Sequence, residues 1–134
     1  MTNNIPETHL DLLKDEKKAF LFLATIMPSG SPQVTPVWFN TDNECILINS
    51  ASGRIKDHNM RARPQIALCI PDPTNPYRYL QIQGKIIEIT TVDADDHINT
   101  LTMKYRGLPI YPYRQPGEQR VKYKILINRV DAHG

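Results

Sequence analysis

A mainly β domain, six antiparallel strands in a small barrel with peripheral helices, is the fold this 134-residue sequence predicts. Three observations lead there. Apolar runs follow one another with brief turns over residues 20–52, so neighbouring strands connect as hairpins and not through crossover helices. The run at residues 77–90 is long for a strand and carries Gly84, which marks a bend or bulge that lets it wrap around a barrel. Helical signals occur at only three places, too few for repeated strand–helix–strand units.

Each element has its own reason. In IPETHLDLLKDEKKAF, residues 5–20, Leu10, Leu13 and Phe20 fall at roughly helical spacing behind Pro6, and lysines gather towards the end, so a first helix is expected. FLFLATIMPSGSPQVTPVWFN reads as two strands joined by a Pro-Ser-Gly-Ser turn, with Gly30 giving the hairpin its backbone freedom. TDNE turns the chain into a third strand, CILINSAS, making an antiparallel meander. A short basic helix comes after it, then the compact strand QIALCI, the Pro-rich loop PDPTNP and the long strand YRYLQIQGKIIEIT. The segment TVDADDHINTLTMKYRG has acids in its first turn and an Ile98, Leu101, Tyr105 stripe. With Lys104, Arg106 and Gly107 at its end, it carries helix start and stop signals together. LPIYPYRQPGEQ is an irregular loop, and RVKYKILINRV alternates around Val121, Tyr123, Ile125 and Ile127 as the closing strand.

The length suits one domain, residues 1–134, with a single hydrophobic core. Hydrophobic residues at 40% and charged residues at 22% are ordinary for a soluble domain, and a net charge of +2 gives no general attraction to nucleic acid or membrane. Any anion site is therefore local. The first residues lack a basic start followed by an apolar run, and no later stretch reaches spanning length, so a cytoplasmic protein is expected. Cys45 and Cys69 lie within apolar strands and read as core thiols.

Residues 50–70, SASGRIKDHNMRARPQIALCI, place Arg54, Lys56, Arg61 and Arg63 between two apolar strands. Such a cluster either faces an anion or is a solvated helix face, and these residues alone leave both readings open. GSPQVTPVWF on the second strand, this basic stretch, and NPYRYLQIQGKI on the fifth strand come in an order that, over nearly the whole chain, resembles the pyridoxamine-phosphate-oxidase-like, or flavin/deazaflavin oxidoreductase, family. The Trp-containing second strand, Gly-Arg-x-Lys and Asn-Pro-Tyr-Arg-Tyr are similar to the branch that binds the deazaflavin coenzyme F420, where related members bind FMN. The resemblance implies a split β-barrel, assembled as a homodimer, with the cofactor in a groove at the dimer interface.

Under that resemblance the basic stretch acquires a chemistry. A helix starting just after Gly53 offers free N–H groups to the cofactor's phosphate and acidic tail. Arg54 grips phosphate oxygens as a fork and Lys56 adds a compact charge, with Asn59 on the same helix as a further cofactor contact. Thr35, Pro36, Val37 and Trp38, facing Asn49, Ser50, Ala51 and Ser52, suit a slot for a flat tricyclic ring. Pro36 in a strand demands an edge or an interrupted ladder. By residue type alone Trp38 reads first as a core or dimer contact. The resemblance brings the strand of Arg78 and Tyr79 towards the other subunit's cofactor, while Arg78 alone reads equally as a surface ion pair. Tyr111 and Tyr113 border the expected substrate pocket. Arg61 and Arg63 read as anchors of the segment before Pro64.

The implied function is an F420-dependent oxidoreductase that moves hydride between the coenzyme and a small organic substrate, with the cofactor doing the chemistry and no dedicated catalytic side chain. The alternatives are an FMN-dependent oxidoreductase and a non-catalytic flavin- or deazaflavin-binding carrier. His9, His58, His97 and His133 lack metal-ligand spacing, and no serine or Cys-His arrangement supports hydrolysis.

Overall fold

The computed structural model describes residues 5–43 and 45–134; Met1 to Asn4 and Glu44, and with them part of the N-terminal reading and of the TDNE turn, lie outside the described residues. The described residues form seven strands: β1 (Leu21–Ile26), β2 (Pro32–Val37), β3 (Phe39–Thr41), β4 (Cys45–Ala51), β5 (Gln65–Asp72), β6 (Asn75–Thr90) and β7 (Arg120–His133). Two α-helices accompany them, α1 (Ile55–Ala62) and α2 (Ala94–Arg106). All pairings are antiparallel, in the order β2-β1-β5-β6-β7-β4-β3.

That order explains the curl. The two edges of the sheet, β2 and β3, are consecutive in the chain and only Trp38 separates them, so the sheet must bend until its edges come together. This is where the expected second strand divides in two. Residues 32–37 pair with β1, residues 39–41 pair with β4, and the meander breaks at Trp38. Pro32 and Pro36 sit on the edge strand β2, where a missing N–H costs least. The barrel is therefore split on one side, and its open backbone groups find partners elsewhere. The Phe39 N–H donates to the Tyr105 hydroxyl at 3.3 Å, and the Phe39 carbonyl accepts from Lys104 Nζ at 2.7 Å. The C-terminal turn of α2 thus holds the split.

Inward side chains follow the two-residue period of the strands: Leu21 and Leu23 on β1, Ile46 and Ile48 on β4, Leu80 and Ile82 on β6, Tyr123 and Ile125 on β7. Gly84 lies at a register shift between Gln83 and Gly84, and a Cβ there would stand 2.7 Å from the Leu126 carbonyl oxygen. A side chain has no room, so the bend in the long strand requires glycine. Cys45 is buried and Cys69 half-buried.

Two further expectations differ from the structure in detail. Residues 7–13 and 15–17 form short 3-10 turns interrupted by extended Lys14, not an α-helix. His9, Leu12 and Leu13 are the buried residues, and the 9-to-12 step of three matches a 3-10 turn laid against the sheet. The Pro-rich loop is shorter than its composition suggests: β5 runs to Asp72 and β6 starts at Asn75. Asp72 accepts hydrogen bonds from the Thr74 N–H and hydroxyl, both at 2.9 Å, and this local turn replaces a long excursion.

Candidate functional site

A cavity of about 280 Å³ opens beside the split of the barrel. Its walls come from three sources: the β2–Trp38 break with Pro36, Val37 and Trp38; the end of β4 with Asn49 and Ser50; and the start of α1 with Arg54 and Lys56. Ile98 and Leu101 of α2, Tyr111 and Tyr113 of the loop after it, Phe20 and Arg120 complete it.

One wall is aromatic. Trp38 stacks on Tyr105 with ring centroids 5.2 Å apart, and Tyr105 stacks in turn on Phe20 at 5.4 Å. Tyr111 meets Trp38 edge-on at 6.4 Å and Tyr113 at 5.6 Å. Tyr105 is fixed through its hydroxyl, which donates to the Ala19 carbonyl at 2.6 Å, and burial pushes its pKa upward. A locked stack of this kind presents flat apolar surface at little entropic cost.

The other wall is cationic. Arg54 precedes the first turn of α1 and Lys56 lies within it. Burial, reinforced by the charges of Arg54 and Arg120, lowers the Lys56 pKa. Arg120 opens β7 and is 4% exposed; its Nε donates to Asn49 Oδ1 at 2.9 Å and its guanidinium carbon lies 4.9 Å from the Tyr111 ring centroid. Asn49 in turn donates to the Ala94 carbonyl and meets His97 Nδ1 at 3.0 Å, while His97 Nε2 reaches Asn40 Oδ1 at 2.8 Å. Burial and the neighbouring Lys122 and Arg120 push the His97 pKa down to about 4, so the imidazole is neutral at pH 7. Against the three cations of this wall stands, among the described residues, one carboxylate, Glu118, bonded to Arg54 at 3.4 Å and to Arg120 at 3.1 Å.

The helix start is held from beneath. Asp57, 2% exposed, accepts from the Gly53 N–H at 3.0 Å, from Arg61 Nε at 3.0 Å and from the Tyr123 hydroxyl at 2.6 Å. Among the described residues, Ser50 Oγ is the buried side-chain polar atom that lacks a hydrogen-bond partner, and Ser50 lines the cavity. Buried hydroxyls nearly always find partners, so this one suits a bound polar group. Excess cations, an orphaned hydroxyl and a flat aromatic wall together fit an anionic ligand with a planar ring.

Of the residues singled out in the sequence, the cavity gathers Lys56, Arg54, Asn49, Ser50, Pro36, Val37, Trp38, Tyr111 and Tyr113. It leaves others outside its lining. Gly53 and Ser52 are exposed beside it, with the Ser52 N–H bonded to the Gln119 carbonyl, and Ala51 is buried opposite Arg120 in the β4–β7 register. The Asn59 amide donates to Thr25 Oγ1 at 3.0 Å and so ties α1 to β1. Arg78 engages Asp11, Asp72 and the Thr8 carbonyl, and Tyr79 stacks on His133 at 4.7 Å. Arg63 donates to the Ile26 carbonyl at 2.7 Å, anchoring the end of α1. Sequence reasoning missed Arg120, Glu118, Phe20, Ile98 and Leu101 as site residues. For Glu118 and Arg120 the available signal was Gln-Pro-Gly-Glu, a turn signature that ends one residue before the last strand and fixes how the chain enters β7. Among the described residues no group of histidine, cysteine or acidic side chains could hold a metal ion, and no helix is long and apolar enough to cross a membrane.

Residues 5–133 match the family model described as pyridoxamine 5'-phosphate oxidase. A solved structure named F420 Reductase is 30% identical, with a TM-score of 0.83 over 95% of this chain and 98% of that one. A conserved hypothetical protein from Mycobacterium tuberculosis is 20% identical (TM-score 0.71, 96% and 84% coverage). A putative pyridoxamine 5'-phosphate oxidase from Listeria innocua is 16% identical (TM-score 0.69, 94% and 95% coverage). The last two show the fold. No curated protein matches the chain.

Proposed function

Since the chain belongs to the pyridoxamine 5'-phosphate oxidase family, we propose that it is an F420-dependent reductase whose cavity holds the coenzyme and a small organic substrate. The observation that carries this reading is the pairing of an aromatic slot with three cations and one carboxylate at one cavity. Similarity to the structure named F420 Reductase favours the deazaflavin over FMN.

Bound there, the deazaflavin would supply hydride transfer. The protein's part is recognition and exclusion of water. Lys56 and Arg54 bind phosphate oxygens at the start of α1, and Arg120, clamped by Asn49 and Glu118, adds a preorganised donor. Ser50 Oγ hydrogen-bonds a polar edge of the ring. Trp38, backed by Tyr105, sets the plane of the slot, and Tyr111 and Tyr113 cover the substrate side.

The reading extends to assembly as a cytoplasmic homodimer. Phe22 and Val34 are exposed, at 39% and 65%, on the β1–β2 hairpin, and a second copy would cover this apolar edge. Titration with oxidised F420 and with FMN, followed by fluorescence, tests the cofactor: F420 should bind more tightly and weaken with added salt. Equal or tighter FMN binding overturns the choice. Sedimentation of the same samples should give a dimer, and a monomer that still binds tightly removes the second copy from the site.

A further inference from the structure

Glu118 touches two of the three cavity cations, although it lies in an irregular loop. Its position is built. Gln115, Pro116, Gly117 and Glu118 form a turn closed by the Glu118 N–H on the Gln115 carbonyl at 3.1 Å, with Gly117 at φ +76°. Proline at the second position and a left-handed glycine at the third are what a type II turn requires. Arg114 Nε donates to the Glu118 carbonyl at 3.3 Å, and β7 starts two residues later with Arg120. The Glu118 side chain is 7% exposed, with Oε1 on Arg54 and Oε2 on Arg120. Lys56 has no ion pair among the described residues, and its ammonium is disfavoured by burial and by the same two arginines.

We infer that Glu118 is a specificity-determining residue that sets how many negative charges the cavity accepts. This rests on the cavity being the anion site proposed above. One fixed carboxylate cancels one of three cations, leaving two uncompensated, so the site matches a ligand group of about two negative charges and discourages denser polyanions. Glu118 also pins both guanidinium groups before any ligand arrives, which reduces the entropy lost on binding. It acts through Arg54 and Arg120 as a positioning residue and does not itself meet the phosphate.

The test compares pyrophosphate with the more highly charged tripolyphosphate, each alone, by calorimetry at low ionic strength. Glu118→Gln keeps the shape and removes the charge. The preference for tripolyphosphate over pyrophosphate should rise by about fivefold or more relative to the native protein, because a like-signed excess at contact range is weakly screened. Glu118→Asp retains the charge and should keep the native preference. A purely structural role for Glu118 would weaken both anions together and leave their ratio alone. Far-UV circular dichroism confirms folding, and Glu118→Ala replaces the glutamine variant if that fails to fold. A ratio within twofold of native in the uncharged variant overturns the inference, as does an equal shift in the aspartate variant. If the native protein binds neither anion, the cavity is not an anion site and both readings fall; if it binds both and the ratio does not move, only the role of Glu118 falls.

Discussion

At the start of β6, Arg78 meets Asp11 and Asp72, and Lys17 stands 3.4 Å from Asp11 and 3.6 Å from Asp72. Around the cavity, Arg54, Lys56 and Arg120 face one carboxylate among the described residues, Glu118, which pairs with the two arginines and leaves Lys56 without an ion pair. Both clusters contain basic residues that sequence reasoning offered to a ligand, yet their charge balance differs. Two cations against two carboxylates neutralise each other and tie the N-terminal turns to the sheet. Three against one leave an excess that repels itself, and a folded chain tolerates that where an external anion repays it. A positively charged residue therefore signals a site only after its partners are counted.

The largest expected effect separates the clusters by pH. His97 belongs to the cavity network, and its pKa is pushed from about 6.5 down to about 4 because the charged imidazolium is buried beside Lys122 and Arg120. A base whose folded pKa is depressed costs stability as pH falls: the unfolded chain takes up the proton first, from about pH 6.5, and the loss is complete near pH 4. The full shift corresponds to about 3 kcal/mol, and His97→Gln should flatten that slope in thermal melts. The Arg78 cluster moves in another window. Asp72 and Asp11 have lowered pKa values, Asp72 chiefly through the Thr74 N–H and Asp11 chiefly through Arg78, so their support is complete above the ordinary carboxylate range and fades only below it. A flat stability profile between pH 6.5 and 4 in the native protein would remove the cavity's pH signature.

Next in size is a cross-comparison of ligand affinity. A charge-assisted hydrogen bond contributes about 1.5 to 3 kcal/mol, so Lys56→Ala should weaken F420 binding by roughly ten- to a hundredfold. Its melting temperature without ligand should change little, since the ammonium has no ion pair to lose among the described residues. Arg78→Ala should behave in the opposite way, with a melting temperature lowered by a few degrees and affinity nearly native. If Arg78→Ala instead loses affinity while Lys56→Ala does not, the balanced cluster is the binding one and the counting rule is wrong here.

The unequal legibility of the two regions has physical causes. The Gly-Arg-x-Lys spacing is local, and the turn into α1 brings Arg54 and Lys56 to one cavity directly. The alternation of Val121, Tyr123, Ile125 and Ile127 is a property of one strand and needs no partner to be read. The break at Trp38 is not local: it depends on β2 and β3 choosing different neighbours, and residues 32–40 look like one strand until that choice is made. Arg120 was equally hidden. An arginine at the start of a strand reads as exposed, yet Asn49 of β4, Glu118 and the Tyr111 ring enclose this one. The N-terminal segment misled for a related reason, since a mixed charged and apolar pattern over 7–17 fits both an α-helix and 3-10 turns until the sheet beneath selects the shorter repeat.

The smallest expected effect tests whether the excess charge is confined to the cavity and does not extend further along α1. Arg61 lies four residues beyond Asp57 and bonds it at 3.0 Å, yet its side chain is 47% exposed and it does not line the cavity. Asp57 keeps two other donors, the Gly53 N–H and the Tyr123 hydroxyl, so losing Arg61 should leave the start of the helix in place. An exposed pair within one helix contributes about 0.3 to 0.5 kcal/mol, and Arg61→Ala should lower stability by no more than that order. Affinity for F420 should stay within about twofold of native, the remainder reflecting long-range attraction that salt removes. Binding curves for Arg61→Ala and Lys56→Ala, measured side by side at two salt concentrations, decide the matter. A tenfold loss in Arg61→Ala that persists at high salt would mean that the anion is gripped one turn further along α1, and the cluster at Arg54, Lys56 and Arg120 would no longer be its centre.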